Sequence, residues 1–207
     1  VDLRDEAATS AAVAACVDTF GRIDGLFAVA GGSARFAGDG PLHEMPLEGF
    51  DAAIAMNSVP AFLAAREVIR VMLDQAPGAD GSRGSLVLMS SVLADHPSPR
   101  RFATHGYAAA KGAINSLTTT LAASYAPHLI RVNAIAAGLV ATPMSQRAQS
   151  DAEIMAYASR KQPLAGGVLP SDAATGAARF LLSPEARYIT GQVIAVDGGW
   201  SVTEAEA

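Results

Sequence analysis

Short, largely apolar runs alternate along this chain with longer stretches whose apolar residues recur every three or four positions. The short runs, of strand length, fall at residues 26–30, 85–89, 130–135 and 192–196. The longer ones predict helices over residues 5–20, 50–75, 107–125 and 172–182. Gly21 closes the first helix in the C′ position. Residues 77–81 read as a loop, and Pro127 lies just past the third helix. Strands that are apolar throughout, separated by helices, predict a parallel sheet covered on both faces, an α/β doubly wound architecture. No internal repeat or low-complexity linker interrupts the pattern, so residues 1–207 read as one domain. In such a sheet, ligands lie outside the carboxyl ends of the strands. Those ends carry Gly31-Gly32, Ser90-Ser91 and Ala137-Gly138.

Composition agrees with one domain and narrows its partners. Half of the 207 residues are apolar and 17% are charged, enough for a sizeable core. Net charge is −5 without any basic run, which argues against nucleic acid or an anionic membrane as partner. No apolar stretch is expected to reach the ~18 residues that span a bilayer. Residues 1–4 lack the pattern of a signal peptide. The single Cys16 leaves no internal disulfide and fits a reducing, cytoplasmic compartment. It shares an apolar stripe with Val13, Val17 and Phe20, so packing rather than reactivity is expected. His96 and His105 lack a second ligand at metal spacing, so no metal site is expected; His43 and His128 read as surface residues.

The chemistry concentrates in Tyr107-x3-Lys111, with Ser91 sixteen residues upstream of the tyrosine and Asn57 further back. Four-residue spacing places Tyr107 and Lys111 on one helix face, one turn apart. An ammonium nearby favours phenolate over phenol, which would bring a tyrosine that titrates near ~10 towards acid–base work at neutral pH. Taken singly, each residue also has a plainer reading: Tyr107 and Lys111 as solvated helix positions, Ser91 as a turn residue with Ser90 as its rival. Asn57 is a poor helix former. Pro60 deprives the Met56 carbonyl of its helical partner, and a free carbonyl beside Asn57 would suit a bound water.

Over essentially its whole length the sequence resembles the short-chain dehydrogenase/reductase family. The landmarks are, in order, Asp2-Leu3, Ala30-Gly31, Asn57, Ser91, Tyr107-x3-Lys111, Arg131-Val132-Asn133-x3-Gly138-x3-Thr142-Pro143, and Thr190-Gly191-Gln192-x4-Asp197-Gly198-Gly199. The resemblance implies a Rossmann-like fold and an oxidoreductase that interconverts an alcohol and a carbonyl with NAD or NADP. It implies that Tyr107 transfers the proton, Ser91 holds the substrate oxygen, and Lys111 lowers the tyrosine pKa and holds the nicotinamide ribose. Asn57 would hold a water linking Lys111 to solvent. Ala30, Gly31 and Gly138 would let the cofactor approach the backbone, Val140 and Thr142 would contact its nicotinamide end, and Asp2 and Leu3 its adenine. Residues 143–167, with Met155 and Tyr157, would form a mobile lid over substrate. The small-residue helix from Ala108 to Ala123, as in the family, would build a homodimer or homotetramer.

Four departures qualify the resemblance. The spacing from Ser91 to Tyr107 is about three residues longer than usual, which predicts an enlarged loop at residues 95–101 by the pocket mouth. The turn after the first apolar run reads Ala28-Val29-Ala30-Gly31 where the family has Asn-Asn-Ala-Gly. Ala137-Gly138 stands where Pro-Gly is usual. No Gly-x3-Gly-x-Gly, the turn that seats a pyrophosphate on a helix N-terminus, occurs in the sequence. Asp2-Leu3 matches the end of the family's third strand, so strands 1–3 of the fold are apparently missing. That would leave residues 26–30 as a bare sheet edge without lysine, proline or charge, an aggregation hazard, and a natural chain that continues upstream of Val1 is the expectation. Two rival functions follow: a non-catalytic chain that oligomerises or scaffolds a relative, and an epimerase or dehydratase using the same cleft.

Overall fold

Among the residues that the computed structural model describes, 1–204, the four apolar runs become four parallel strands: β1 (Gly25–Ala28), β2 (Gly84–Ser91), β3 (Ile130–Ala137) and β4 (Val193–Val196), in spatial order β1-β2-β3-β4. Six helices accompany them: α1 (Glu6–Phe20), α2 (Leu47–Asp74), α3 (His105–Tyr125), α4 (Gln146–Gln149), α5 (Ala152–Lys161) and α6 (Thr175–Leu182). The expected α/β sheet with helices on both faces is therefore present. On one face Leu86, Leu88, Val132 and Ala134 meet Ala61, Val68 and Met72 of α2 and Ile114 of α3. The alternate residues Val87 and Ile135 turn to the other face and meet Ala178 and Leu181 of α6, as the period of two in a strand requires. Cys16 packs against the first of these clusters, and His43 and His128 are exposed.

Local chemistry explains the element ends. Asp5 caps α1 by accepting from the Ala8 N–H, and Gly21 takes the left-handed conformation that ends it (φ 78°). α2 begins at Leu47, earlier than expected, because Pro46 stands in extended conformation at the cap. By length and composition, and contrary to expectation, α2 is apolar enough to cross a bilayer. Its buried residues include Asn57 and Glu67, and it packs between α1 and α3 against β1 and β2, so its apolar length serves the core. The helix runs through Pro60 without interruption.

β1 is the sheet edge that the sequence led one to expect, pairing only with β2 among the described strands. Asp2 and Leu3 lead through a turn into α1. The Asp2 carboxylate folds back onto the Arg4 backbone N–H at 3.0 Å and its guanidinium at 2.7 Å, while the Asp2 carbonyl accepts from the Asp5 N–H. The pairings Ser91↔Ala137 and Ala137↔Val196 bring the carboxyl ends of β2, β3 and β4 into line.

Candidate active site

A cavity of about 580 Å³ opens at the aligned strand ends, lined by Asn57, Ser91, Tyr107 and Lys111 together with Gly31, Gly138, Val140 and Thr142. Eight residues named from the sequence thus share one cavity. Asp2, Leu3 and Ala30 line an adjoining groove that meets the first at Gly31.

Ser91 is the last residue of β2, and Tyr107 sits in the first turn of α3. That turn is held from a distance. Thr104, at the cap position, makes no capping bond. Asp39 takes its place: its carboxylate, buried at 3% exposure, accepts from the Gly106 N–H at 2.9 Å and the Tyr107 N–H at 3.0 Å. Two of the helix's orphan amides are satisfied in this way, and Tyr107 is fixed by its own backbone. Gly106 leaves room for the carboxylate, since a Cβ there would lie 3.1 Å from Asp39 Oδ1.

The rivalry between the two serines is resolved by geometry. The Ser90 hydroxyl donates to Asn115 Oδ1 at 2.5 Å and approaches the Lys111 carbonyl at 3.2 Å, which ties β2 to α3. The Ser91 hydroxyl accepts from the Leu93 N–H and lies on the same cavity as the Tyr107 phenol, whose pKa it pulls down. Lys111, 3% exposed, donates to the Met89 carbonyl at 2.8 Å and lies 5.6 Å from the Tyr107 ring centre.

Burial sets the protonation of this pair. It pushes the Tyr107 phenol above its ordinary value, and the nearby Ser91 hydroxyl pulls only partly against that. Burial also lowers Lys111 from 10.5 to about 8. The expected depression of Tyr107 by Lys111 is therefore not met, because the desolvation of the phenol outweighs its stabilising contacts.

The Asn57 side chain is committed to the main chain around it. Its amide donates to the Gly32 carbonyl and the Ala53 carbonyl, each at 2.9 Å, and its oxygen accepts from the Gly32 N–H at 3.1 Å. With both N–H groups committed, it clamps the Gly31-Gly32 turn beside Lys111. A Cβ on Gly31 would fall 2.6 Å from Asn57 Oδ1 and 3.4 Å from Lys111 Nζ, so glycine is demanded there by packing.

The segment over the mouth folds as the 3₁₀ turn Pro143–Ser145, α4 and α5. Pro143, Met144, Ser145, Arg147 and Ala148 line the cavity, whereas Met155 and Tyr157 do not. Tyr157 instead meets the edge of Trp200 (5.5 Å between centroids) and lies under the Arg101 guanidinium (4.6 Å). Trp200 donates to the His96 carbonyl and meets Phe102 edge-on, so the longer loop at residues 95–101 is pinned to α5 by aromatic packing. Gln162, wholly buried, roots the segment. Its oxygen accepts from the Leu139 N–H at 2.6 Å, and its amide donates to the Leu139 and Gly167 carbonyls.

Sequence reasoning missed Asp39, Gln162 and the cavity-lining Arg35 and Arg147. Only Asp39 carried a local hint, its place in Gly38-Asp39-Gly40.

A parallel α/β sheet with a Ser–Tyr–Lys group at its carboxyl edge defines a class of dinucleotide-dependent oxidoreductases, and comparison with known proteins agrees. The family model described as enoyl-(acyl carrier protein) reductase matches residues 1–201. The chain is 38% identical over 205 residues to inactive 2-(S)-hydroxypropyl-CoM dehydrogenase 2 of Xanthobacter autotrophicus, covering 96% of this chain and 82% of that one. It is 36% identical over 203 residues to 2,5-dichloro-2,5-cyclohexadiene-1,4-diol dehydrogenase of Sphingobium indicum, covering 97% and 76%. Its fold superposes with a TM-score of 0.85 on gluconate 5-dehydrogenase of Burkholderia cenocepacia, crystallised with NADP and tartrate, at 28% identity and covering 99% and 74%. The chain belongs to the short-chain dehydrogenase/reductase family, whose dehydrogenases use NAD(P).

Proposed function

We propose that this chain interconverts an alcohol and a carbonyl with NAD or NADP, Tyr107 serving as the proton donor and acceptor. The convergence of Ser91, Tyr107 and Lys111 on one cavity carries the reading. The nicotinamide end of the cofactor suits Gly31 and Gly138, where any side chain would strike Asn57 or Gln162, so the backbone there stays open to close approach. When bound, the cofactor supplies or accepts the hydride.

The remaining work falls to the chain. The Ser91 hydroxyl orients the substrate oxygen and donates to it as charge develops. In the reductive direction the Tyr107 phenol, kept protonated by burial, gives its proton to that oxygen. In the oxidative direction the phenolate must form first, and Lys111, within reach of the ring, stabilises it. Asn57 keeps the Gly31-Gly32 turn in place.

The test is a fluorescence titration with NADH and NADPH, followed by turnover assays on a panel of secondary alcohols and ketones. Wild type and Tyr107→Phe are expected to bind dinucleotide alike, with turnover in wild type alone. Near-normal turnover by Tyr107→Phe would refute the role of the phenol. The inactive relative favours one rival, a non-catalytic chain. A wild type that binds neither dinucleotide would establish that rival. The exposed small residues Ala109, Ala113, Ser116 and Ala123 on α3 support a dimer or tetramer, which sedimentation would detect.

A further inference from the structure

The cavity lining carries positive charge that the proposed chemistry does not use. Arg35 opens the 3₁₀ turn Arg35–Ala37 after β1, and Arg147 lies in α4. The two lie over a hundred residues apart in sequence and line the same cavity as Ser91 and Tyr107. With Lys111 they make three cationic residues in a lining that contains no aspartate or glutamate. The two guanidiniums are close enough to repel: the Arg35 pKa is lowered by burial and by the charge of Arg147, against a smaller pull from Asp39. Asp39, the carboxylate that acts on Arg35, also holds the N-terminus of α3 with both its oxygens.

Several arginines of this protein have acceptors: Arg66 has Glu6 and Glu67, Arg83 the Leu73 and Gln75 carbonyls, Arg131 the Leu181 and Ser183 carbonyls. Among the described residues neither the Arg35 nor the Arg147 side chain has one. Two guanidiniums without an acceptor, both exposed and lining one cavity, offer N–H forks of the kind that suits the oxygens of a carboxylate, sulfonate or phosphate.

We infer that Arg35 and Arg147 together bind an oxyanion carried by the ligand of this cavity. The inference rests on the reading of the cavity as the reaction site. Two sources share the chemistry: an acid group on the substrate, or the phosphates of the dinucleotide.

The test uses the whole chain and reads binding, not turnover. Tartrate and inorganic pyrophosphate are titrated calorimetrically, and NADH by fluorescence, into wild type, Arg35→Gln, Arg147→Gln and the double variant. Arg35→Lys and Arg147→Lys keep the charge without the fork. Each glutamine variant is expected to weaken anion binding about tenfold, the double variant further, and the lysine variants less. Loss of pyrophosphate and NADH affinity together assigns the pair to the cofactor phosphates. Loss of tartrate affinity with NADH unchanged assigns it to an acidic substrate. No anion binding in wild type, or equal binding in wild type and the double variant, overturns the inference. Tyr107→Phe is expected to bind the anions as wild type does, so the role of the arginine pair can be decided even in a protein inactive in hydride transfer.

Discussion

Replacing Lys111 by methionine separates the cost of burying a charge from the chemistry that charge performs. In the folded chain the ammonium titrates at about 8, against 10.5 ordinarily, a gap worth about 3 kcal/mol in favour of the neutral form. The sign follows from proton counting. Between pH 8 and 10.5 the unfolded chain holds the proton that the folded chain has released, so stability rises with pH across that window. Below pH 8 the full cost of about 3 kcal/mol is present, and above 10.5 it has gone. Methionine fills a similar volume without a charge and removes this dependence. It also leaves the Met89 carbonyl without its donor, at about 1–3 kcal/mol independent of pH. The stability of Lys111→Met minus that of wild type should therefore fall by about 2 kcal/mol between pH 7 and pH 9.5, whatever its value at pH 7. Urea denaturation at both pH values measures it, and the subtraction cancels groups common to both proteins. A difference that stays flat across that range would mean that Lys111 is solvated in the folded chain, and would refute a buried ammonium.

Three further outcomes are expected. Ser91→Ala should abolish turnover with little change in stability, whereas Ser90→Ala should lose about 1–2 kcal/mol through its bonds to α3 and retain activity; denaturation and steady-state rates on both variants decide. Asp39→Ala should destabilise by about 2 kcal/mol, with Asp39→Asn milder, by exposing the first amides of α3. If hydrogen exchange at Gly106 and Tyr107 is unchanged in Asp39→Ala, the carboxylate is not the cap. Gly138→Ala should cost about 1–3 kcal/mol, because its Cβ would meet Gln162 and lie 2.9 Å from Asp197 Cα. It should also weaken dinucleotide binding; unaltered melting and affinity would show that the turn has slack.

Elements whose signal is local were readable in the sequence. β2 carries the unbroken apolar run 86–89, and β3 is apolar except at Arg131 and Asn133, because both their faces are covered; the Tyr107–Lys111 spacing survives as one helix face. The boundary of α2 was misplaced by the three residues that follow Pro46, where polar character masks a preset backbone. The protonation of Tyr107 was misjudged because spacing shows a neighbour's charge and not the depth at which a phenol lies. Asp39 reaches Gly106 across 67 residues, and Gln162 meets Leu139 from across the lid. Neither leaves a periodic trace, since such bonds are decided only when the sheet has assembled. Arg35 and Arg147 read singly as solvated charges, and only the fold puts them in one cavity.

Asn57, Gln162 and Asp39 share a habit: each grips main-chain atoms of the segment it holds, at Gly32, at Leu139 and Gly167, and at Gly106 and Tyr107. A loop gripped by its amides keeps its course whatever side chain it displays. Ser33, Leu139 and Val140, which face the cavity beside those grips, can therefore be exchanged without loosening the walls. Selectivity for substrate is thereby uncoupled from the architecture that supports it, and variation at these positions can redirect the chemistry at little risk to folding.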